Sequence, residues 1–154
     1  MKRGIELRPE DSDSDAARSM IDAFIAWARA TYPEYDPALS PSADPAELAP
    51  PGGLFLVAWD GSAPIGGAAF KRLEPESAEV KRLYVVPEAR GLGVGATLMA
   101  RLEEEARSRG YSRLRLDIGD RQPEAMGLYR RLGFVEIDDY NGNPFATRWL
   151  EKPI

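Results

Sequence analysis

Apolar and polar residues alternate from Arg3 to Arg8, the period of a strand with one covered face, so a first strand is predicted over residues 3–8. The period then changes. Ala17, Met20, Ile21, Phe24, Ile25 and Ala28 recur at helical spacing behind the cap-rich run Asp11 to Asp15, which predicts a helix over 16–31 that stops at Tyr32-Pro33. Strand-like runs return at Leu54 to Trp59 and Ile65 to Leu73, joined by the hairpin signal Asp60-Gly61-Ser62. Pro75-Glu76-Ser77 turns the chain into a further strand over 78–86, completing an antiparallel meander.

A second helix is predicted over 94–109. Leu98, Met99, Leu102 and Ala106 face inward, Glu103–Arg107 and Glu105–Arg109 pair on the outside, and Gly110 ends it. Leu114 to Asp117 is the next strand, parallel to 78–86 through a right-handed crossover. Pro123 begins another helix that Gly133 closes. Residues 134–137 and 145–150 finish as an antiparallel pair around Asn141-Gly142-Asn143. With a short helix expected near Asp44 to Leu48, the pattern gives one α/β (α+β) domain over 1–154. It has a mixed sheet of about six to seven strands with about four helices on its two faces.

Composition narrows the chemistry. The chain has 154 residues, a net charge of −5 and no basic run, which argues against nucleic acid as a partner. It has no cysteine and no histidine, so the usual metal ligands and the usual general base are missing, and no metal is expected. Carboxylates, tyrosine, hydroxyls, lysine or arginine must do whatever chemistry there is. No long apolar span or secretory leader is seen, so a soluble, cytoplasmic protein away from membranes is expected.

The most informative stretch is Ala78 to Ala96, a strand, a glycine-rich turn and the first turn of a helix. Such a turn presents unpaired backbone N–H groups to an anion, and Arg90 adds a planar fork of donors. Three frames compete for it. A P-loop fails for want of a lysine after the last glycine. The dinucleotide fingerprint G-x-G-x-x-A is met by Gly91, Gly93 and Ala96, with Asp117 where a ribose-binding acid would stand. Against it, Pro87 to Arg90 separates strand from glycine, and one strand–helix–strand unit is too little for a doubly wound domain.

The third frame, Arg-x-x-Gly-x-Gly at Arg90, Gly93 and Gly95, resembles the coenzyme A motif of the GNAT superfamily of N-acetyltransferases. Upstream, Ala78 to Pro87 fits the same pattern. Downstream, Glu124 to Phe134 looks like the family's A-x-x-L-Y-x-x-x-G-F signature, and residues 141–145 resemble a common bacterial branch. The two blocks cover roughly 78–135. The element order is also that of the family.

The resemblance implies an acetyl-CoA-dependent N-acetyltransferase fold, with a bulged strand 78–86 that splays from its parallel neighbour. It implies that Leu83, Tyr84 and Val85 contact the pantetheine arm, and that the Leu83 N–H polarises the acetyl carbonyl. The pyrophosphate would rest on Arg90, Gly91, Leu92, Gly93, Val94, Gly95 and Ala96. Gln122 stands where many members carry a coenzyme-contacting asparagine. Tyr129 matches the tyrosine that protonates the departing thiolate. Glu79, eleven residues before Arg90, has the spacing of the catalytic glutamate in the family's histone acetyltransferases; a structural pairing with Lys81, Arg82 or Arg72 is the other reading. Asp117 is the second candidate base, through a water.

With no cysteine for an acyl-enzyme, direct attack in a ternary complex is expected. The acceptor is a small-molecule or peptide amine, and the loop residues Glu34, Tyr35, Asp36, Asp44 and Glu47 would suit a cationic one. The fold admits a homodimer. A non-catalytic acyl-CoA-binding or sensing module is the alternative, and a dinucleotide-binding oxidoreductase stands third.

Overall fold

The computed structural model describes residues 4–41 and 43–154; Arg3, at the predicted start of the first strand, lies outside them. Among the described residues seven strands form one mixed sheet in the order β1-β2-β3-β4-β5-β7-β6. The meander is β1 (Ile5–Glu10), β2 (Leu54–Asp60), β3 (Ala63–Glu74) and β4 (Ser77–Val85), each antiparallel to the last. Strand β5 (Arg113–Ile118) lies parallel to β4, and β7 (Arg148–Pro153) runs between β5 and β6 (Val135–Ile137), antiparallel to both.

Three α-helices cover the sheet among the described residues: α1 (Asp15–Thr31), α2 (Val94–Ser108) and α3 (Pro123–Arg131). Ser14 caps α1 by accepting a hydrogen bond from the Ala17 N–H. At the ends of α2 and α3 the chain turns through Gly110 (φ 89°) and Gly133 (φ 98°). There Tyr111 N–H donates to Ala106 O and Phe134 N–H to Tyr129 O, six-residue closures that satisfy the last helical carbonyls. The segment near residues 44–48 is a turn, in which the Glu47 N–H donates to Asp44 O. It cannot extend, because Pro50 keeps Ala49 out of the helical region. Strand β7 starts three residues later than the periodicity predicts. Asn143 accounts for this: its side chain accepts from the Phe145 N–H and its carbonyl from the Ala146 N–H, so 143–146 coil before pairing begins.

Strand β2 shows how the period of two builds two cores. Leu54, Leu56 and Ala58 face α2, where Leu98, Met99, Leu102 and Ala106 are buried with Phe70. Phe55 and Val57 face the other way, onto Ala17, Met20 and Leu48 beneath α1. Truncating one such fully buried leucine, for example Leu98, costs about 2–5 kcal/mol in transfer and cavity energy.

The sheet is opened in its middle. Pairing between β4 and β5 runs only from Ser77↔Arg113 to Glu79↔Arg115, although β4 continues to Val85 and β5 to Ile118. Beyond Glu79 the two parallel strands part. On its other edge β4 carries a bulge: Gly67 faces Tyr84 and Ala69 faces Lys81, so Arg82 and Leu83 together oppose Ala68 alone. Arg82 takes a left-handed conformation there (φ 61°). A bulge re-aims side chains and frees backbone groups, and it coincides with the opening between the strands.

Candidate active site

Two cavities meet where β4 and β5 separate. The larger, a groove of about 930 Å³, runs between the β4–α2 turn and the start of α3. Of the residues expected to hold the coenzyme, Leu83, Tyr84, Val85, Arg90, Gly91, Gly93, Val94, Gly95, Ala96 and Gln122 all line it; Leu92 does not, and is exposed. Gly91 and Gly93 both have φ of 80°, a conformation that costs a residue with a Cβ. The first helical bond of α2 is Thr97 N–H to Gly93 O, so the N–H groups of Val94, Gly95 and Ala96 precede it and have no intrahelical acceptor. Arg90 is fixed beside them by a 3.0 Å hydrogen bond from its Nε to Val85 O and by stacking on Tyr84. Arg121 and Arg131 also line the groove.

This donor set suits a phosphorylated ligand with a long arm able to hydrogen-bond the backbone. The start of α2 and the side chains of Arg90, Arg121 and Arg131 line the groove, and the parted strands leave β4 backbone unpaired along it.

The smaller cavity, about 130 Å³, lies on the other side of Leu83 and Gln122, which line both spaces together with Trp27. Its walls include Phe24, Tyr32, Tyr35, Phe145, Arg82, Asp117 and Tyr129. Tyr35 stacks edge-on against Phe145 with ring centres 5.3 Å apart. It is the one of the five loop candidates to reach this cavity: Asp36 instead caps the turn at Ala38, Asp44 and Glu34 are exposed, and Glu47 holds Lys71 at 3.1 Å.

Tyr129 is buried beneath the junction, edge-on to Phe134. Burial, reinforced by the Asp117 carboxylate, pushes its phenol well above the ordinary value of 10. It therefore holds its proton throughout the neutral range and can only act as a donor.

The two carboxylates are differently situated. Asp117, at the end of β5, is half-buried and lines the smaller cavity. Glu79 lines neither cavity. It is 1% exposed, receives hydrogen bonds from Tyr140 Oη (2.5 Å) and Asn141 Nδ2 (3.1 Å), and pairs with Lys81 at 3.1 Å. That is the pairing with Lys81 that its position early in β4 allowed. Asn141 Nδ2 also donates to Asp117 Oδ2 at 2.6 Å, so one amide ties both carboxylates together. The amide oxygen is held in turn by Trp149 Nε1 and the Asn143 N–H. Burial and the neighbouring Glu79 keep the Tyr140 phenol protonated far above its usual range.

Nothing in the sequence signals Tyr140 or Trp149, and Asn141 is marked only as part of a turn and of the 141–145 resemblance, with no role at a site. Their segment reads as a polar turn between two strands, and nothing in a single chain says that this turn folds over the end of β4. Gln122 lines the groove, and its amide donates to Tyr32 Oη at 3.1 Å, where the Arg121 N–H also donates. Tyr32 thereby ties the end of α1 to the loop leading into α3. Among the described residues no cluster of potential metal ligands is present, and no helix is long and apolar enough to cross a membrane.

Comparison with known proteins gives a consistent answer. The model of the acetyltransferase (GNAT) family matches residues 18–134. An IAA acetyltransferase of Azospirillum brasilense is 33% identical over 97% of this chain and 98% of its own length. Among solved structures, a GNAT-family acetyltransferase from Staphylococcus aureus superposes with a TM-score of 0.82 over 97% of this chain and 99% of that one, at 17% identity. The PaiA N-acetyltransferase of Thermoplasma acidophilum, solved in complex with coenzyme A, superposes with a TM-score of 0.74 over 99% and 100% of the two chains, at 21% identity. At these identities the structural matches speak for the fold.

Proposed function

The chain belongs to the GNAT family of acetyltransferases and is an acetyl-CoA-dependent N-acetyltransferase, and from that premise we propose that it acetylates a small primary amine by direct attack within a ternary complex. The observation that carries this reading is the junction itself. A groove fitted for coenzyme A and a ring-sized cavity share the Leu83 wall, so donor and acceptor can be bound at once on either side of one backbone position. Such an arrangement removes the need for a covalent acyl-enzyme.

In this reading the N–H groups of Val94, Gly95 and Ala96, with Arg90, Arg121 and Arg131, hold the phosphates, while Leu83, Tyr84 and Val85 hold the pantetheine arm. The Leu83 N–H donates to the thioester carbonyl oxygen as negative charge develops on it. Asp117, the carboxylate that faces the acceptor cavity, takes the proton from the amine, directly or through a water. Glu79, sealed beneath it, acts as a positioning residue through Asn141 rather than as the base itself. As the new C–N bond forms and the C–S bond breaks, Tyr129 gives its proton to the departing sulfur. Its raised pKa supports this role, since a phenol already ionised would have nothing to give.

The test is thiol release from acetyl-CoA against an amine library with wild type, Asp117→Asn and Tyr129→Phe. Amine-dependent release that both substitutions depress supports the reading. Tight acetyl-CoA binding with no amine-dependent release from any member would favour the non-catalytic binding module.

A further inference from the structure

Arg82 is the anomaly of the acceptor cavity. It sits at the bulge of β4 in a left-handed conformation (φ 61°), which an arginine adopts only against a steric penalty. Its guanidinium carbon lies 5.3 Å from the centre of the Phe24 ring, and both residues line the cavity. Its Nε is buried and has no hydrogen-bond partner. Among the described residues it forms no ion pair, whereas its neighbour Lys81 is paired with Glu79. A buried, unpartnered guanidinium N–H is costly, and it marks Arg82 as a cavity-lining cation whose charge no described carboxylate answers.

Across the opening, at the end of β5, stands Asp117. Positive and negative side chains therefore line one small cavity from its two parting strands, with Trp27, Tyr32, Tyr35 and Phe145 forming apolar walls. The volume of about 130 Å³ is close to that of a cavity, about 150 Å³, that takes a benzene ring. A purely cationic amine would meet Arg82 with repulsion. An acceptor bearing both an amine and a planar anion would satisfy both ends.

We propose that the acceptor is a primary alkyl amine that carries both an aromatic ring and a carboxylate, bound with its carboxylate on Arg82, its ring among the aromatic side chains and its amine toward Asp117. This rests on the acetyl-transfer reading above and goes beyond it by naming the substrate class. A guanidinium matches a carboxylate through two parallel N–H···O bonds, which gives orientation as well as affinity. The reaction is unchanged: the amine nitrogen gains the acetyl group, its proton goes to Asp117, and the carboxylate takes no part in bond making.

Matched pairs test the proposal: phenylalanine against phenethylamine, and 4-(aminomethyl)benzoate against benzylamine. Each pair shares its ring and amine and differs in the carboxylate. Initial rates of thiol release are measured with wild type and Arg82→Gln, and acetyl-CoA affinity is measured for both proteins by calorimetry. In at least one pair the carboxylate-bearing amine should exceed its partner by about 10- to 100-fold in kcat/KM, the scale of one charge-assisted contact. Arg82→Gln should shrink that ratio to near one while acetyl-CoA affinity stays within about twofold. Equal or better turnover of the amines without a carboxylate overturns the inference. So does the absence of turnover with either acid by a protein that binds acetyl-CoA. Failure of the wild type to bind acetyl-CoA is a different result: it fails the donor-site reading, and the inference with it.

Discussion

The side-chain amide of Asn141 donates a 2.6 Å hydrogen bond to the carboxylate of Asp117. The same nitrogen reaches Glu79 at 3.1 Å, so the orientation of the cavity-facing carboxylate is coupled to a buried one. Asp117→Asn should lower kcat/KM by about 10²- to 10⁴-fold, the usual worth of a positioned base, with acetyl-CoA affinity unchanged. Asn141→Ala leaves the Trp149 Nε1 without its acceptor and removes the amide donor shared by Asp117 and Glu79, and should cost about 1–3 kcal/mol of stability together with a smaller loss of kcat. Steady-state thiol release and urea unfolding check the pair. Full activity in Asp117→Asn would remove it from the mechanism.

Tyr129 gives a prediction about pH. Burial raises its pKa, so the proton is present across the neutral and mildly alkaline range and is lost only above the ordinary value of 10. The rate should therefore show no alkaline decline below pH 10 from loss of this acid. Tyr129→Phe should lower kcat by about 10²-fold or more without lowering the unfolding midpoint, because no described residue hydrogen-bonds the hydroxyl. An alkaline limb centred between pH 7 and 9 that disappears in Tyr129→Phe would contradict the assignment.

Much of this was legible in the sequence, for a local reason. The period of two in β1 to β4, the stripes of α1 and α2, and the glycines that end α2 and α3 are properties of neighbouring residues. So is the turn from Arg90 to Ala96. That strand 78–86 is bulged and parts from its parallel neighbour follows only from the family resemblance, which does not place the bulge at Arg82–Leu83, since residues 78–86 by themselves read as an unbroken strand. What stayed hidden depends on long-range contact. Tyr140 and Asn141 reach Glu79 across about 60 positions of chain, and burial by that turn is what separates Glu79 from the cavity. Tyr32 finds Gln122 across 90 positions. The single helical turn near Asp44 lost to the prolines around it.

The contact between Tyr32 and the loop before α3 leaves no room at Gly119. A Cβ built there would overlap the Tyr32 hydroxyl. Gly119→Ala should therefore displace Tyr32 or the loop, and with it the hydrogen bonds from the Arg121 N–H and Gln122 Nε2. The expected cost is about 1–3 kcal/mol, with a rise in KM for acetyl-CoA because Gln122 and Arg121 line its groove. Thermal unfolding and kinetics of that one variant are the check; an unchanged melting temperature would show that the loop relaxes freely.

The outer face of α2 should make the protein acid-sensitive. Burial tends to raise the pKa of Glu103, but hydrogen bonds from Lys152 and Arg107 outweigh it and lower the value. Arg109 and then Arg101 lower Glu105 in the same way. A carboxyl whose folded pKa is depressed stabilises the fold above its unfolded value, here 4.5, and that contribution is lost as pH falls through the folded pKa. Glu103→Gln should be less stable than wild type in urea at pH 7, and the gap should close progressively below pH 4.5. A gap that is constant from pH 7 to pH 3 would mean the ion pairs are not its source.

The central claim, that the turn between β4 and α2 holds acetyl-CoA, is tested most directly by calorimetric titration of acetyl-CoA into wild type, Gly93→Glu and Arg90→Glu. Gly93→Glu sets a carboxylate and a strained backbone at the phosphate site, whereas Arg90→Glu reverses a charge there without touching a left-handed position. The account predicts saturable binding by wild type and a loss of at least about 100-fold in both variants, each still unfolding cooperatively. Absent binding by wild type, or undiminished binding by two folded variants, would contradict it.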